Sequence, residues 1–259
     1  ISVAMDSNNN NNTMHVLLKL KGLFITILAC PFVDALSPPT PPPPSATTRR
    51  SFLVVSSLSL STTTSAAAAR AAAGPSVSTI VSDGMTAFAS GDVDRSLKIY
   101  DAIIEADPKR KPYLWQRGLS LYYAGRYQDG ADQFAADVAV NPNDTEEQIW
   151  HLLCLAQLTG SLEEARSMKL AVGKDRRPVM RAVQSLFLSG GAQDERELVD
   201  LAENGDPGSR FYANLYLSLY YESTRKLSDA EKWMAQAVNT EYARSVGRRD
   251  PMVELAKVA

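Results

Sequence analysis

Four pairs of residues stand 34 positions apart in this chain: Gly84 and Gly118, Gly91 and Gly125, Tyr100 and Phe134, Pro108 and Pro142. They fall in the stretches IVSDGMTAFASGDVDRSLKIYDAIIEADP from Ile80 and LWQRGLSLYYAGRYQDGADQFAADVAVNP from Leu114. A unit of this length is a pair of helices that cannot bury its apolar face alone, so such units must stack. Each matched position has a physical task. The first glycine lets the two helices of a unit approach closely. The second ends the first helix, where a left-handed residue stops the hydrogen-bond ladder. The aromatic residue of the second helix fills the space between helices. The proline ends that helix and opens the next unit.

A third unit runs EEQIWHLLCLAQLTGSLEEARSMKLAV, with Gly160 at the turn, Ala165 at the small position of the second helix, and Asn143-Asp144 available as an N-cap. Two shorter helices ending at Gly190–Gly191 and Gly205 interrupt the pattern. The last unit is RFYANLYLSLYYESTRKLSDAEKWMAQAVN, with Ala230 at the small position. The pentapeptide LSLYY occurs at Leu119–Tyr123 and again at Leu217–Tyr221, which reads as one first-helix packing strip used twice.

These positions resemble the signature of the tetratricopeptide-repeat (TPR) family. The resemblance implies an all-α superhelical solenoid over residues 75–259, with units at about 77–110, 111–144, 145–177 and 208–242. A helical insert would occupy 178–205, and a helix at 249–258 would cap the last apolar face. RGLSLYYAGR, NPNDTEEQIWHLLCLAQ and FYANLYLSLYY also look like two kinds of TPR protein. One is a bacterial outer-membrane lipoprotein that serves a periplasmic tail-specific protease as adaptor. The other is the plastid-lumen TPR proteins of plants. The resemblance implies a helical interaction protein, often a homodimer.

Residues 1–74 read as a targeting leader in three parts. MHVLLKLKGLFITILAC, within about 14–35, has the lysines, apolar run and small residue of a signal peptide. SPPTPPPPSATT (37–48) is an extended spacer, because proline supports neither helix nor sheet, and it has the acid-free Ser/Thr character of a transit segment. TTRRSFLVV and the alanine tract up to Ala73 resemble a twin-arginine signal over 48–73, with Arg49, Arg50, Phe52 and Leu53 on motif positions. The order resembles the leaders of thylakoid-lumen proteins in algae with complex plastids, although Leu36 rather than Phe follows Ala35. The alternative is a bacterial-type periplasmic lipoprotein anchored at Cys30, where ILAC looks like an imperfect lipobox.

Charge and chemistry narrow the function. The leader holds five basic and two acidic residues, leaving 22 basic and 27 acidic ones in the rest of the chain. That balance speaks against a nucleic-acid partner, which needs a basic face. No P-loop, GxSxG, HExxH or GxGxxG string is present. His151 and Cys154 share a helix face, but two ligands fall short of a closed zinc site. The chain is therefore expected to be no enzyme and to hold no cofactor and no metal. The expected function is a non-catalytic scaffold in the thylakoid lumen, assisting assembly or maintenance of a photosynthetic membrane complex. Delivery of substrates to a tail-specific protease is the alternative.

In a TPR solenoid the first helix of each unit lines the concave side. The candidates for binding a protein or peptide there are Trp115, Tyr122, Tyr123, His151, Tyr212, Tyr216, Tyr220 and Tyr221. Aromatic side chains with polar tips suit peptide capture. About half are expected to pack between helices instead, with one of Tyr122 and Tyr123 buried and its neighbour more exposed. Chaperone-tail clamps place Lys and Asn where this chain has Val81 and Met85, so that ligand is not expected. The basic clusters Lys109–Lys111, Arg176–Arg177 and Arg248–Arg249 read as solvated loop charge, or as a patch for peripheral membrane association.

Overall fold

The computed structural model describes residues 75–259, which are all-helical: no strand occurs among the described residues. The leader expectations, including Arg49, Arg50, Phe52, Leu53 and Cys30, lie outside the described residues. The helices are α1 (Val77–Ala89), α2 (Val93–Ala106), α3 (Trp115–Tyr123), α4 (Tyr127–Val140), α5 (Thr145–Thr159) and α6 (Leu162–Arg166). After an irregular segment come α7 (Pro178–Ser189), α8 (Ala192–Asn204), α9 (Pro207–Ser223), α10 (Leu227–Val238), α11 (Glu241–Val246) and α12 (Pro251–Val258). Short 3-10 helices occupy Pro108–Tyr113 and Gly247–Arg249.

Local chemistry sets these bounds. Ser76, Asp92, Asp144, Ser161, Asp206, Thr240 and Asp250 each accept a backbone N–H in the first turn of the helix they open. Gly91 and Gly125 hold φ of +82° and +72° in the turns after α1 and α3, where a side chain would be strained. The matching turn between α9 and α10 uses a non-glycine residue, Arg225, at φ +62°.

Consecutive helices pack in pairs, α1 on α2, α3 on α4, and α9 on α10. The first two pairs close on the same contact. A Cβ added to Gly84 would lie 2.6 Å from the Tyr100 ring, and one added to Gly118 would lie 2.5 Å from the Phe134 ring. Each aromatic ring thus rests on a helix backbone that has no side chain there. Gly118→Ala is expected to cost about 2 kcal/mol, the range for overpacking a fully buried contact. Phe134→Leu in the same chain should recover part of that loss, so the double variant falls short of the sum in urea denaturation.

The third pair departs from the expected unit. α6 has five residues, and the segment after it runs back along the α4–α5 turn instead of forming a full second helix. Gln148 donates to the Leu170 carbonyl (2.6 Å), and the Gly173 N–H donates to Pro142 O (2.8 Å). The C-terminal helix begins at Pro251 rather than 249, because Asp250 caps it and the preceding residues form a 3-10 turn. It packs on α10 and also on α1, so it joins the end of the described chain to its beginning.

Two helices form the centre. In α5, residues 147 to 156 are all buried, and in α9, residues 213 to 221 are all buried. A run longer than two turns buried at every position is enclosed on all sides. α5 packs on α3, α4, α6, α7 and α9, while α9 packs on α5, α7, α8, α10 and α11. No helix among the described residues is long and apolar enough to cross a membrane.

Candidate functional site

The eight residues expected to line a concave face divide sharply. Tyr122, His151, Tyr216, Tyr220 and Tyr221 are buried, and Trp115, Tyr123 and Tyr212 are half-buried. The first five are packing residues rather than groove-lining ones: His151 on α5 and Tyr216, Tyr220 and Tyr221 on α9 lie in enclosed runs, and Tyr122 on α3 packs among Tyr123, Tyr127 and Trp150. Tyr122 (2 % exposed) and Tyr123 (half-buried) do differ as neighbours 100° apart on a helix, although the Tyr123 hydroxyl is buried too. Tyr220 and Tyr221 do not, because α9 has neighbours all round.

The buried tyrosines join two aromatic groups. Tyr122 meets Tyr123, Tyr127 and Trp150 edge-on at 5.4–5.5 Å, and Phe134 stacks on Trp150 at 6.3 Å. Phe187 meets Tyr220 at 5.5 Å and Tyr216 at 6.4 Å. Such edge-to-face pairs add to the stability that burial alone gives. Their phenols are not acid–base groups at neutral pH. Burial pushes the Tyr122, Tyr123 and Tyr216 hydroxyls well above the ordinary tyrosine range.

The His151–Cys154 pair has no exposed chemistry. Burial lowers the His151 imidazole, which leaves it neutral at pH 7, and its Nδ1 has no hydrogen-bond partner. Cys154 is wholly buried against Gly130, and burial pushes its thiol far up, away from the nucleophilic thiolate. Among the described residues no group of three or more His, Cys, Asp and Glu side chains is placed to hold a metal ion.

The densest polar site centres on a residue read from sequence as solvated loop charge. Arg177 donates from Nη1 to Glu146 Oε2 (2.7 Å), and from Nη2 and Nε to the two Asp175 oxygens (2.9 and 3.2 Å). Its guanidinium also lies 5.7 Å from the Tyr212 ring centre. Tyr216 donates to the other Glu146 oxygen (3.0 Å). Tyr212 and Tyr242 both donate to Asp250 Oδ2, each at 2.9 Å. One cation therefore ties α5, the segment before α7 and α9 together, and Tyr212 extends the tie to the cap of α12. Burial raises the Glu146 carboxyl and Arg177 pulls it back only in part. Burial works upward on Asp175 as well, but the Arg177 bonds bring it below the usual range. Burial and the hydrogen bond to Asp250 push the Tyr242 hydroxyl up to about 12. An open cleft of about 560 Å³ lies alongside, lined by Asn141, Asn143, Lys174 and Arg176 among others. One usable signal for this network stands in the sequence, an acidic residue in the first turn of the helix that carries the apolar run WHLLCLA.

A second carboxyl cluster sits where α4 passes to α5. Burial and the charge of Asp144 push Asp137 up to about 6, and burial with the Asp144 hydrogen bond pushes Glu147 to about 10. The folded chain therefore holds a proton on Asp137 more tightly than the unfolded chain does. That contribution is full below about pH 4 and is lost as pH rises through 6. Asp137→Asn is expected to be about 1–2 kcal/mol more stable than the parent at pH 7.5 and equal to it at pH 4, read from denaturation midpoints. The basic residues Lys109, Arg110 and Lys111 are exposed, with Arg110 paired to Asp107 at 3.1 Å.

No protein-family model matches the chain.

Proposed function

We propose that this chain is a non-catalytic TPR scaffold that binds another protein, and that its leader delivers it to the thylakoid lumen. There it would assist assembly or maintenance of a photosynthetic membrane complex. The observation that carries the repeat reading is the twice-used contact of Gly84 with Tyr100 and Gly118 with Phe134, at one spacing of 34 residues. Stacked helix pairs of this period serve chiefly to present extended surfaces to other proteins. Burial of the thiol and imidazole favours packing over catalysis for both. The binding surface is then not the aromatic set as a whole, since five of its eight members are interior.

The test is the mature N-terminus of native protein, read by mass spectrometry, followed by native gels. A start near Ala73–Ser76 and co-migration with photosystem intermediates are the expected results. A lipid-modified start at Cys30 would replace this reading with the protease-adaptor one, with the proline-rich stretch as a tether.

A further inference from the structure

The C-terminal helix α12 is held as a ligand is held. Met252, Val253, Leu255 and Ala256 are all at most 4 % exposed, so this single two-turn helix is covered on most of its circumference. It lies against α1 and α10. Its cap, Asp250, is buried, receives two tyrosine hydroxyls and accepts the Met252 N–H at 2.9 Å. A carboxylate is the group that such a pair of donors selects.

Its covalent attachment is a short linker, in which Arg249 donates to the Val246 and Ser245 carbonyls. Eight residues form no stable helix by themselves. Gly247, at φ +52°, has open space around it and separates α12 from α11. α11 itself is anchored, with Ala243 buried and the Tyr242 ring stacked on Phe211 at 5.4 Å. Unseating α12 breaks the Tyr212 and Tyr242 bonds to Asp250, while α11 keeps its packing through Ala243 and Phe211.

We propose that the seat of α12 is an interaction surface which α12 keeps closed in the free chain. The partner that opens it is a protein segment of the same chemistry. That segment is a short helix headed by an acidic residue and proline, with aliphatic side chains two, three and five positions on and a small one at six. This rests on the scaffold reading and names the class of its partner. A second copy of the chain is the poorer occupant. With α11 anchored, the tether 247–250 spans at most about 14 Å, too short to reach another molecule's seat beside that molecule's own α11.

The test uses the full chain and a synthetic peptide of residues 249–259 labelled at its C-terminus. Leu255→Asp puts a charge at a wholly buried position and unseats α12. The peptide is expected to bind this variant at least about 30-fold more tightly than the parent, because the tethered helix competes at millimolar effective concentration. Adding Tyr212→Phe should weaken that binding about tenfold through loss of one hydroxyl to the carboxylate. Equal binding to parent and variant, or binding to neither, overturns the proposal. If Leu255→Asp loses its helical circular dichroism, Asp250→Asn is read instead. A gain of about fivefold in peptide affinity is then expected from the weakened cap, and no gain overturns the proposal. A concentration-dependent dimer of the parent that vanishes with Leu255→Asp assigns the seat to a second copy and also overturns it. None of these failures touches the scaffold reading, which stands or falls on co-migration.

Discussion

Arg177→Met is expected to destabilise the fold by about 1–3 kcal/mol at pH 7, because it takes the half-exposed guanidinium away from two largely buried carboxylates, Glu146 and Asp175. Glu146 would keep its place among α5, α9 and the segment before α7 with only the Tyr216 hydroxyl to oppose its charge. Asp175 would lose both side-chain bonds that fix the chain before α7. The loss carries a pH signature. Without the guanidinium the folded pKa of Glu146 rises further above its unfolded value, so folding of the variant is favoured by protonation. The deficit relative to the parent should shrink as pH falls toward the ordinary glutamate range and grow above it. Thermal melts of both chains at pH 4.5, 6 and 7.5 measure this directly. A deficit below about 1 kcal/mol at every pH would mean that the pair is solvated and contributes as surface ion pairs do.

The other large effect belongs to Trp150→Ala. The indole is 2 % exposed and touches the rings of Tyr122, Tyr123 and Phe134, so truncation leaves a large cavity where α3, α4 and α5 meet. A loss of about 4 kcal/mol is expected, or roughly 8–16 °C in Tm for a domain of this size. Trp150→Phe should lose much less. It keeps most of the volume and removes an indole N–H that has no acceptor in the fold. A Phe variant as damaged as the Ala variant would indicate that the N–H has a bonding role.

Arg177 and Trp150 mark the two ways in which sequence and structure relate here. Trp150 stands in WHLLCLAQL, where apolar residues are so dense that burial can be read directly. Its ring partners Tyr122 and Phe134 come from the neighbouring unit, which the 34-residue spacing places beside it. Arg177 stands in KDRRP, which reads as loop charge because its near partner Asp175 lies in the same irregular stretch and no helix pattern there calls for a cation. Its partner Glu146 is 31 residues away, across a segment whose path no local signal sets. The turn at Arg225 was hidden for a related reason: glycine is the usual sign of a left-handed residue, and here the fold holds one without it. The aromatic candidates show the converse error. Tyr216 and Tyr220 have the composition of a binding surface, yet composition says nothing about whether a second layer of helices covers them.

The sequence by itself determined the helical class, the pairing of neighbouring helices and the Gly–aromatic contacts that close the first two pairs. Those properties depend on hydrophobic period, turn residues and caps, which act over a few residues or one repeat. The tertiary structure alone decided that α5 and α9 are enclosed, that Arg177 is a structural cation, and that α12 lies on α1 rather than only covering the last pair. Each of these depends on contacts between elements far apart in the chain: α7 on both α5 and α9, Arg177 on Glu146, and α12 on α1. Such contacts are set by summed packing among residues far apart in the chain, which no local pattern encodes.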